Sequence, residues 1–169
     1  MDRKQTVSLE MVLMGIKPID EEAVKAAKAH WDRVAKPLNS LGVLEEDICR
    51  IAGVKQREEF SLDKKCIVVM CADNGIVEEG VTQTGQEVTA IVADNFVKGT
   101  TTACVMCHQC GVDVKPVDVG MVRDTTARTD LKVMYGTRNM TKGPAMTRDE
   151  AIKGIEAGIA MVEELKAQG

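Results

Sequence analysis

An α/β fold is what this sequence predicts: a mainly parallel, Rossmann-like sheet flanked by helices and preceded by a small N-terminal helical segment. Three observations carry that expectation. Cys66-Ile67-Val68-Val69-Met70-Cys71 is a continuous apolar run, the pattern of a strand covered on both faces. Residues 112–119 alternate and end at Gly120, which predicts a second strand, with helical periodicity between the two. Thr147-Arg148-Asp149-Glu150 is a capping box that opens a long final helix. Residues 1–60 are read as the helical segment and residues 61–169 as the α/β part.

Each element follows from local signals. Asp20 is an N-cap followed by the first-turn acids Glu21 and Glu22. Val24, Ala27, Trp31 and Val34 then repeat on one face, so a helix runs to Ala35. Lys36-Pro37 ends it, because the residue before proline is pushed out of the α region. Ser40 or Gly42 starts a second helix, with the stripe Leu44, Ile48 and Ile51 and with Gly53 as its stop. Residues 56–65 are charged and read as an exposed connection. After the apolar run, Asp73-Asn74-Gly75 marks the carboxyl end of the strand, where α/β proteins place ligands. Val88, Ile91, Val92, Asn95 and Phe96 have helical spacing closed by Gly99, and residues 101–110 form another helix ending at Gly111. Residues 131–135 read as a weaker third strand, and the polar, Thr-rich residues 123–130 as a surface loop. The final helix has the stripe Ile152, Ile155, Ile159, Val162 and Leu165.

Composition narrows the class. A chain of 169 residues is long enough to bury a core. Aromatics are 2%, so that core is aliphatic, filled by Val, Ile, Leu, Ala and the 10 Met. A net charge of −4 without a Lys or Arg block argues against nucleic acid or an anionic membrane surface as partner. Residues 7–13 are broken by Glu10 and too short for a secretory signal, and no stretch reaches the roughly 18 apolar residues of a membrane helix. The expectation is a cytoplasmic protein. Its six Cys then read as reduced thiols acting as small hydrophobes.

Several patterns invite chemistry. Cys104-Val105-Met106-Cys107-His108 matches the Cys-x-x-Cys-His haem-attachment pattern, which belongs to exported proteins. With Cys110 it also begins an iron–sulfur spacing, whose fourth position falls on Val114. Cysteines three apart on a helix stack on one stripe, so buried thiols and no metal are expected. His108 is read as an ordinary histidine in preference to a catalytic base. Asp73-Asn74-Gly75 with Glu78-Glu79-Gly80 clusters carboxylates beyond a buried strand. That cluster reads either as a metal or acid–base site or as a tight turn with Glu78 and Glu79 in water. No G-x-G-x-x-G and no P-loop is present, so no cofactor is expected. Gly85, opening a helix with Gln86 and Glu87, leaves a weak phosphate site open.

Three blocks together resemble the nicotinate-nucleotide–dimethylbenzimidazole phosphoribosyltransferase family, which makes the lower-ligand nucleotide of cobalamin. The first is Lys36-Pro37-Leu38-Asn39-Ser40-Leu41-Gly42 with Leu44-Glu45. The second is Val69-Met70-Cys71-Ala72-Asp73-Asn74-Gly75, then Glu79-Gly80-Val81 and Val88-Thr89-Ala90-Ile91. The third joins Gly99-Thr100-Thr101, Gly111, Val117-Asp118-Val119-Gly120, Arg138-Asn139-Met140 and Gly143-Pro144-Ala145-Met146-Thr147. The match runs in unbroken order from Pro18 to Gly169.

The resemblance implies an enzyme that replaces the nicotinate of nicotinate mononucleotide with dimethylbenzimidazole or a related aromatic base, giving the α-ribosyl nucleotide. Such chemistry needs a carboxylate to take the ring proton of the base and groups that hold the ribosyl phosphate. The base-pocket hydroxyl of the family falls on Thr84, in place of serine, and its base-pocket glutamine falls on Val92. Its Asp-His pair appears as Asp73-Asn74 and its Pro-Gly turn as Leu38-Asn39. Thr84 and Val92 are therefore the base-binding candidates, and Asp73, Asn74 and Glu79 the rim candidates. The phosphate and ribose loop of the family, its phosphate-binding lysine and its catalytic glutamate would follow Gly169. On this reading residues 1–60 are part of a small domain and 61–169 an incomplete large domain. No catalytic residue is assigned in the chain, which is expected to be inactive alone, and a homodimer is expected. The competing readings are one polypeptide of a split enzyme and a nonenzymatic base-binding or dimerising module.

Overall fold

A computed structural model describes residues 7–168, which fall into two compact units. The smaller comprises residues 15–63, and the larger residues 7–14 with 64–168. Residues 1–6 and 169, which fall within the segments read above, lie outside the described residues. No described helix is long and apolar enough to cross a membrane.

The smaller unit is built on two helices, α2 (Glu21–Arg33) and α3 (Val43–Lys55); α1 (Leu9–Gly15) precedes them. Asp20 caps α2 as its sequence position requires, its Oδ1 accepting from the amides of Glu22 and Ala23 at 3.0 and 3.1 Å. The helix ends at Arg33, where Val34 is already extended ahead of Lys36-Pro37. The buried face of α3 is Glu45, Cys49, Ala52 and Gly53, a stripe rotated from the expected Leu44, Ile48 and Ile51, and Leu44 is exposed. Small side chains explain the rotation. Ala27 of α2 packs with Cys49 and Ala52, and Val24 lies against Gly53, so backbone proximity outweighs the bulk of leucine. Gly53 is not the stop. It lies inside α3, where a Cβ would stand 2.6 Å from Val24 Cγ2, and the helix ends instead at Gln56 in the left-handed region (φ 55°). Val24, Trp31 and Phe60 close the core around Ala27, Cys49 and Ala52.

The larger unit carries two parallel strands, β1 (Lys65–Ala72) and β2 (Val112–Gly120), with Lys65 opposite Val112 and a register shift between Cys71 and Ala72. Between them run a 3₁₀ helix (Gly75–Glu79), α4 (Glu87–Val97) and α5 (Thr102–Gln109). Helix α4 packs on both strands and α5 on β2. Thr101 caps α5 by accepting from the amide of Cys104. Cys71, Ala90, Ala93, Met121 and Ala127 form the core, with Val69 against it.

Four expectations need correction here. Strand β1 is not covered on both faces by the described residues: Cys71 is buried, but Ile67 and Met70 are 46% and 39% exposed. Residues 131–135 do not form a strand. They make one backbone bond to the end of β2, from Val133 N to Val119 O, with a second from Gly136 N to Gly120 O just beyond them, too few to continue a ladder. The loop 123–130 is anchored, with Ala127 buried and Arg128 paired to both Asp130 and Glu164. Finally, α6 (Arg148–Ala167) starts at the predicted capping box but buries Ala157 and Met161, leaving Ile155 and Val162 exposed.

Candidate functional site

The site grows from the end of β1. The amide of Asp73 donates to Gly120 O at 3.0 Å, and its own carbonyl accepts from Thr137 N at 2.9 Å. Its carboxylate Oδ2 accepts from Val122 N at 2.8 Å, and the residue is 3% exposed. Asp73 thus ties three segments together through partners distant in sequence, in place of the local backbone bonds expected of a tight turn. Gly75 follows because nothing larger fits: a Cβ there would lie 2.5 Å from Thr137 O and 2.7 Å from Asn139 N.

The 3₁₀ helix turns the chain away from the strand and ends at Gly80 in the left-handed region. Thr82 Oγ1 donates to Thr84 O and accepts from Thr84 N, both at 3.3 Å, forming a small turn. Gln86 then donates from Nε2 to Asn74 O at 3.2 Å, which joins the two ends of the segment 74–86. Between this segment, β1 and α4 lies a pocket of about 590 Å³. Val69, Ile76, Val77, Val88 and Phe96 give it apolar walls, and Asn74, Thr84 and Gln86 supply hydrogen-bonding groups.

Thr84, Val92, Asp73 and Asn74 all line this one pocket, although the first two come from a loop and a helix separate from the strand end. Glu79 does not line it. Its Oε1 accepts from Asn139 Nδ2 at 2.5 Å and from Thr141 Oγ1 at 3.0 Å. Glu78 accepts from Lys142 Nζ at 2.5 Å and from Asn139 Nδ2 at 3.3 Å, and Lys142 foremost holds its carboxyl below the usual range. The two acids are therefore partnered, not simply in water. Burial pushes the Cys71 thiol beneath the pocket upward, so it stays protonated and unreactive. A largely apolar cavity with a few amide and hydroxyl groups at its edge has the make-up of a small-molecule pocket.

Elsewhere, Cys104 and Cys107 are buried on α5 while Cys110 and His108 are exposed. Cys104 Sγ lies 3.6 Å from Phe96 O, a local contact across to α4. Among the described residues no group of three His, Cys, Asp or Glu side chains is arranged to hold a metal ion. Three features escaped sequence reasoning: Gln86 at the neck of the pocket segment, Asn139 behind it, and a Lys36–Glu45 ion pair at 2.8 Å in the smaller unit. The Lys36–Glu45 pair joins the two ends of the first resemblance block.

The fold is that of an α/β protein, with a pocket at the carboxyl end of a parallel strand, the position where such proteins place ligands. A family model described as phosphoribosyltransferase matches residues 16–169, and the chain belongs to that family. Among curated relatives, the nicotinate-nucleotide–dimethylbenzimidazole phosphoribosyltransferase of Clostridium tetani is 45% identical over 163 residues, covering 95% of this chain and 45% of the relative. That of Clostridium acetobutylicum is 40% identical, covering 96% and 47%. The crystal structure of the enzyme of the same name from Thermus thermophilus superposes with a TM-score of 0.79 at 34% identity, over 89% of this chain and 47% of that one. The chain thus spans about half the length of the relatives it matches.

Proposed function

We propose that this chain forms part of a phosphoribosyltransferase that moves the phosphoribosyl group of nicotinate mononucleotide to dimethylbenzimidazole or a related aromatic base, and that it contributes the wall of the base pocket. The observation that carries this reading is the convergence of Thr84, Val92, Asp73 and Asn74 on one largely apolar pocket at the end of β1. Thr84 would hydrogen-bond the base from the mouth of the pocket, and Val92 would pack on its ring. Val92 offers no polar atom, so the pocket favours bases recognised by shape and stacking over those needing an amide partner.

The acids nearest the pocket support a division of labour. Asp73 is bonded to Val122 N, Glu78 to Lys142 and Asn139, and Glu79 to Asn139 and Thr141. None stands ready to take the ring proton of the base. A general base must reach the proton it removes, so the proposal places that carboxylate, and the groups holding the ribosyl phosphate, in sequence beyond this chain. Four buried, unpaired thiols, Cys49, Cys71, Cys104 and Cys107, support a cytoplasmic setting. A homodimer belongs to the same reading, supported by exposed apolar side chains such as Leu38, Leu41 and Val43, and light scattering tests it.

The test incubates nicotinate mononucleotide and dimethylbenzimidazole with the 169-residue chain and with a chain extended to the length of its relatives, following nicotinate release. Release is expected only from the extended chain, because binding the base does not by itself stabilise the transition state. Comparable turnover by the 169-residue chain would overturn the reading and bring Asp73 and Glu79 forward as bases. Activity with a phenol but not with dimethylbenzimidazole would keep the fold assignment and attribute the altered preference to Val92.

A further inference from the structure

Asn139 is one of four polar side chains buried among the described residues, at 6% exposure. Its amide is used at both ends. Oδ1 accepts from Thr141 N at 3.0 Å and shares the single Thr141 hydroxyl proton with Glu79 Oε1 (Oγ1 at 2.8 and 3.0 Å), while Nδ2 donates to Glu79 Oε1 at 2.5 Å and Glu78 Oε2 at 3.3 Å. These two carboxylates sit on the outer side of the 3₁₀ helix whose Ile76 and Val77 line the pocket. A 3₁₀ turn of five residues has little stability of its own, so its place depends on what grips it. The grip comes from behind: Gly75 packs against the backbone of residues 137–139, and Asn139 supplies the donor between two neighbouring negative charges.

We infer that Asn139 is a positioning residue for the pocket: it touches no ligand, but by donating to Glu78 and Glu79 it fixes the 3₁₀ helix and so the wall formed by Ile76 and Val77. The inference rests on the reading of this pocket as the site of the aromatic base. It also explains why the side chain must be an amide. Aspartate, nearly the same shape, would still accept from Thr141 yet place a third carboxylate against Glu78 and Glu79 and remove the one amide donor they share, leaving Glu78 to Lys142 and Glu79 to the Thr141 hydroxyl.

The experiment uses the 169-residue chain and four proteins: wild type, Asn139→Asp, Glu79→Gln, and the double variant Asn139→Asp with Glu79→Gln. The double variant exchanges donor and acceptor, since the amide of glutamine at 79 can donate to the aspartate at 139. Hydrogen–deuterium exchange of residues 76–79 is measured together with affinity for dimethylbenzimidazole. In Asn139→Asp, exchange rises and affinity falls, each about tenfold, the worth of a lost hydrogen bond to a charged partner. Both return toward wild type in the double variant. A merely structural asparagine would not be rescued by a change at Glu79. If Asn139→Asp does not fold, Glu79→Ala, at an exposed position, removes the same bond and produces the same changes. Unchanged exchange in Asn139→Asp, or no rescue in the double variant, overturns the inference. Failure of the wild-type chain to bind dimethylbenzimidazole while the exchange pattern holds would sink the base-pocket reading instead.

Discussion

One carboxylate shows how individual residues fasten the larger unit. Asp94 Oδ1, near the end of α4, accepts from Thr125 Oγ1 at 2.7 Å, Thr126 N at 2.8 Å and Thr126 Oγ1 at 2.7 Å. These bonds, those from Thr126 foremost, hold its carboxyl at about 2, against an ordinary 3.8. The fold therefore prefers the charged form. The stabilisation is complete above the ordinary value and is lost as pH falls from 3.8 through about 2. Glu150 titrates in a similar acid window, drawn down to about 2 by Arg138 and by the amide of Thr147. Urea midpoints of the chain should thus fall on acidification through this window, and Asp94→Asn should reduce that slope without abolishing it. An unchanged slope would show that the clamp is not formed in solution. Nothing near Asp94 in sequence announces this role, since its partners lie some thirty residues away. By contrast, Asp20 and the Thr147–Glu150 box were legible, because a cap and its helix are neighbours in the chain. Asp73, Asn139 and Gln86 belong with Asp94: the strand end gave the position of Asp73, but the partners of all three are brought near only by the fold.

At the scale of elements, spans were easier to read than faces. Strand β1 and helices α2, α4, α5 and α6 begin and end within a few residues of their predicted limits. The fully buried positions of α3 and α6, however, are Glu45 with Ala, Gly, Cys and Met, while Leu44, Ile155 and Val162 are exposed and Ile48, Ile51, Ile152 and Ile159 only half-buried. Hydrophobic periodicity weights bulk, whereas helices that approach closely select small residues. Gly53 makes the point testable. Gly53→Ala puts a methyl group 2.6 Å from Val24 Cγ2 and 3.2 Å from Asp20 O, so α2 and α3 must separate. A loss of about 1–3 kcal/mol is expected, followed through Trp31, the only tryptophan of the chain, which sits in that unit. Adding Val24→Ala should recover part of it. Strand β1 gives a second test. Val68→Asp places an unpaired charge in a half-buried strand and should abolish soluble folding, whereas Lys64→Asp, at an exposed position before the strand, should be tolerated. Equal effects would mean that the strand does not pack as described.

For the whole molecule, the fold class was legible because alternating strand and helix signals admit few arrangements. The extent of the sheet was not, since residues 131–135 carry a strand-like composition but a single backbone bond to β2. The pairing of β1 with β2 also has a consequence in time. The smaller unit, residues 15–63, rests on neighbouring helices and can form as soon as it leaves the ribosome. Strand β1 cannot follow it, because Lys65 waits for Val112. At about 5–20 residues per second, the apolar run from Cys66 to Cys71 stays without its partner strand for a few seconds of synthesis. During that interval an open, aliphatic strand edge is exposed to every other nascent chain nearby, and chaperone capture of ribosome-bound intermediates should peak between the emergence of β1 and that of β2.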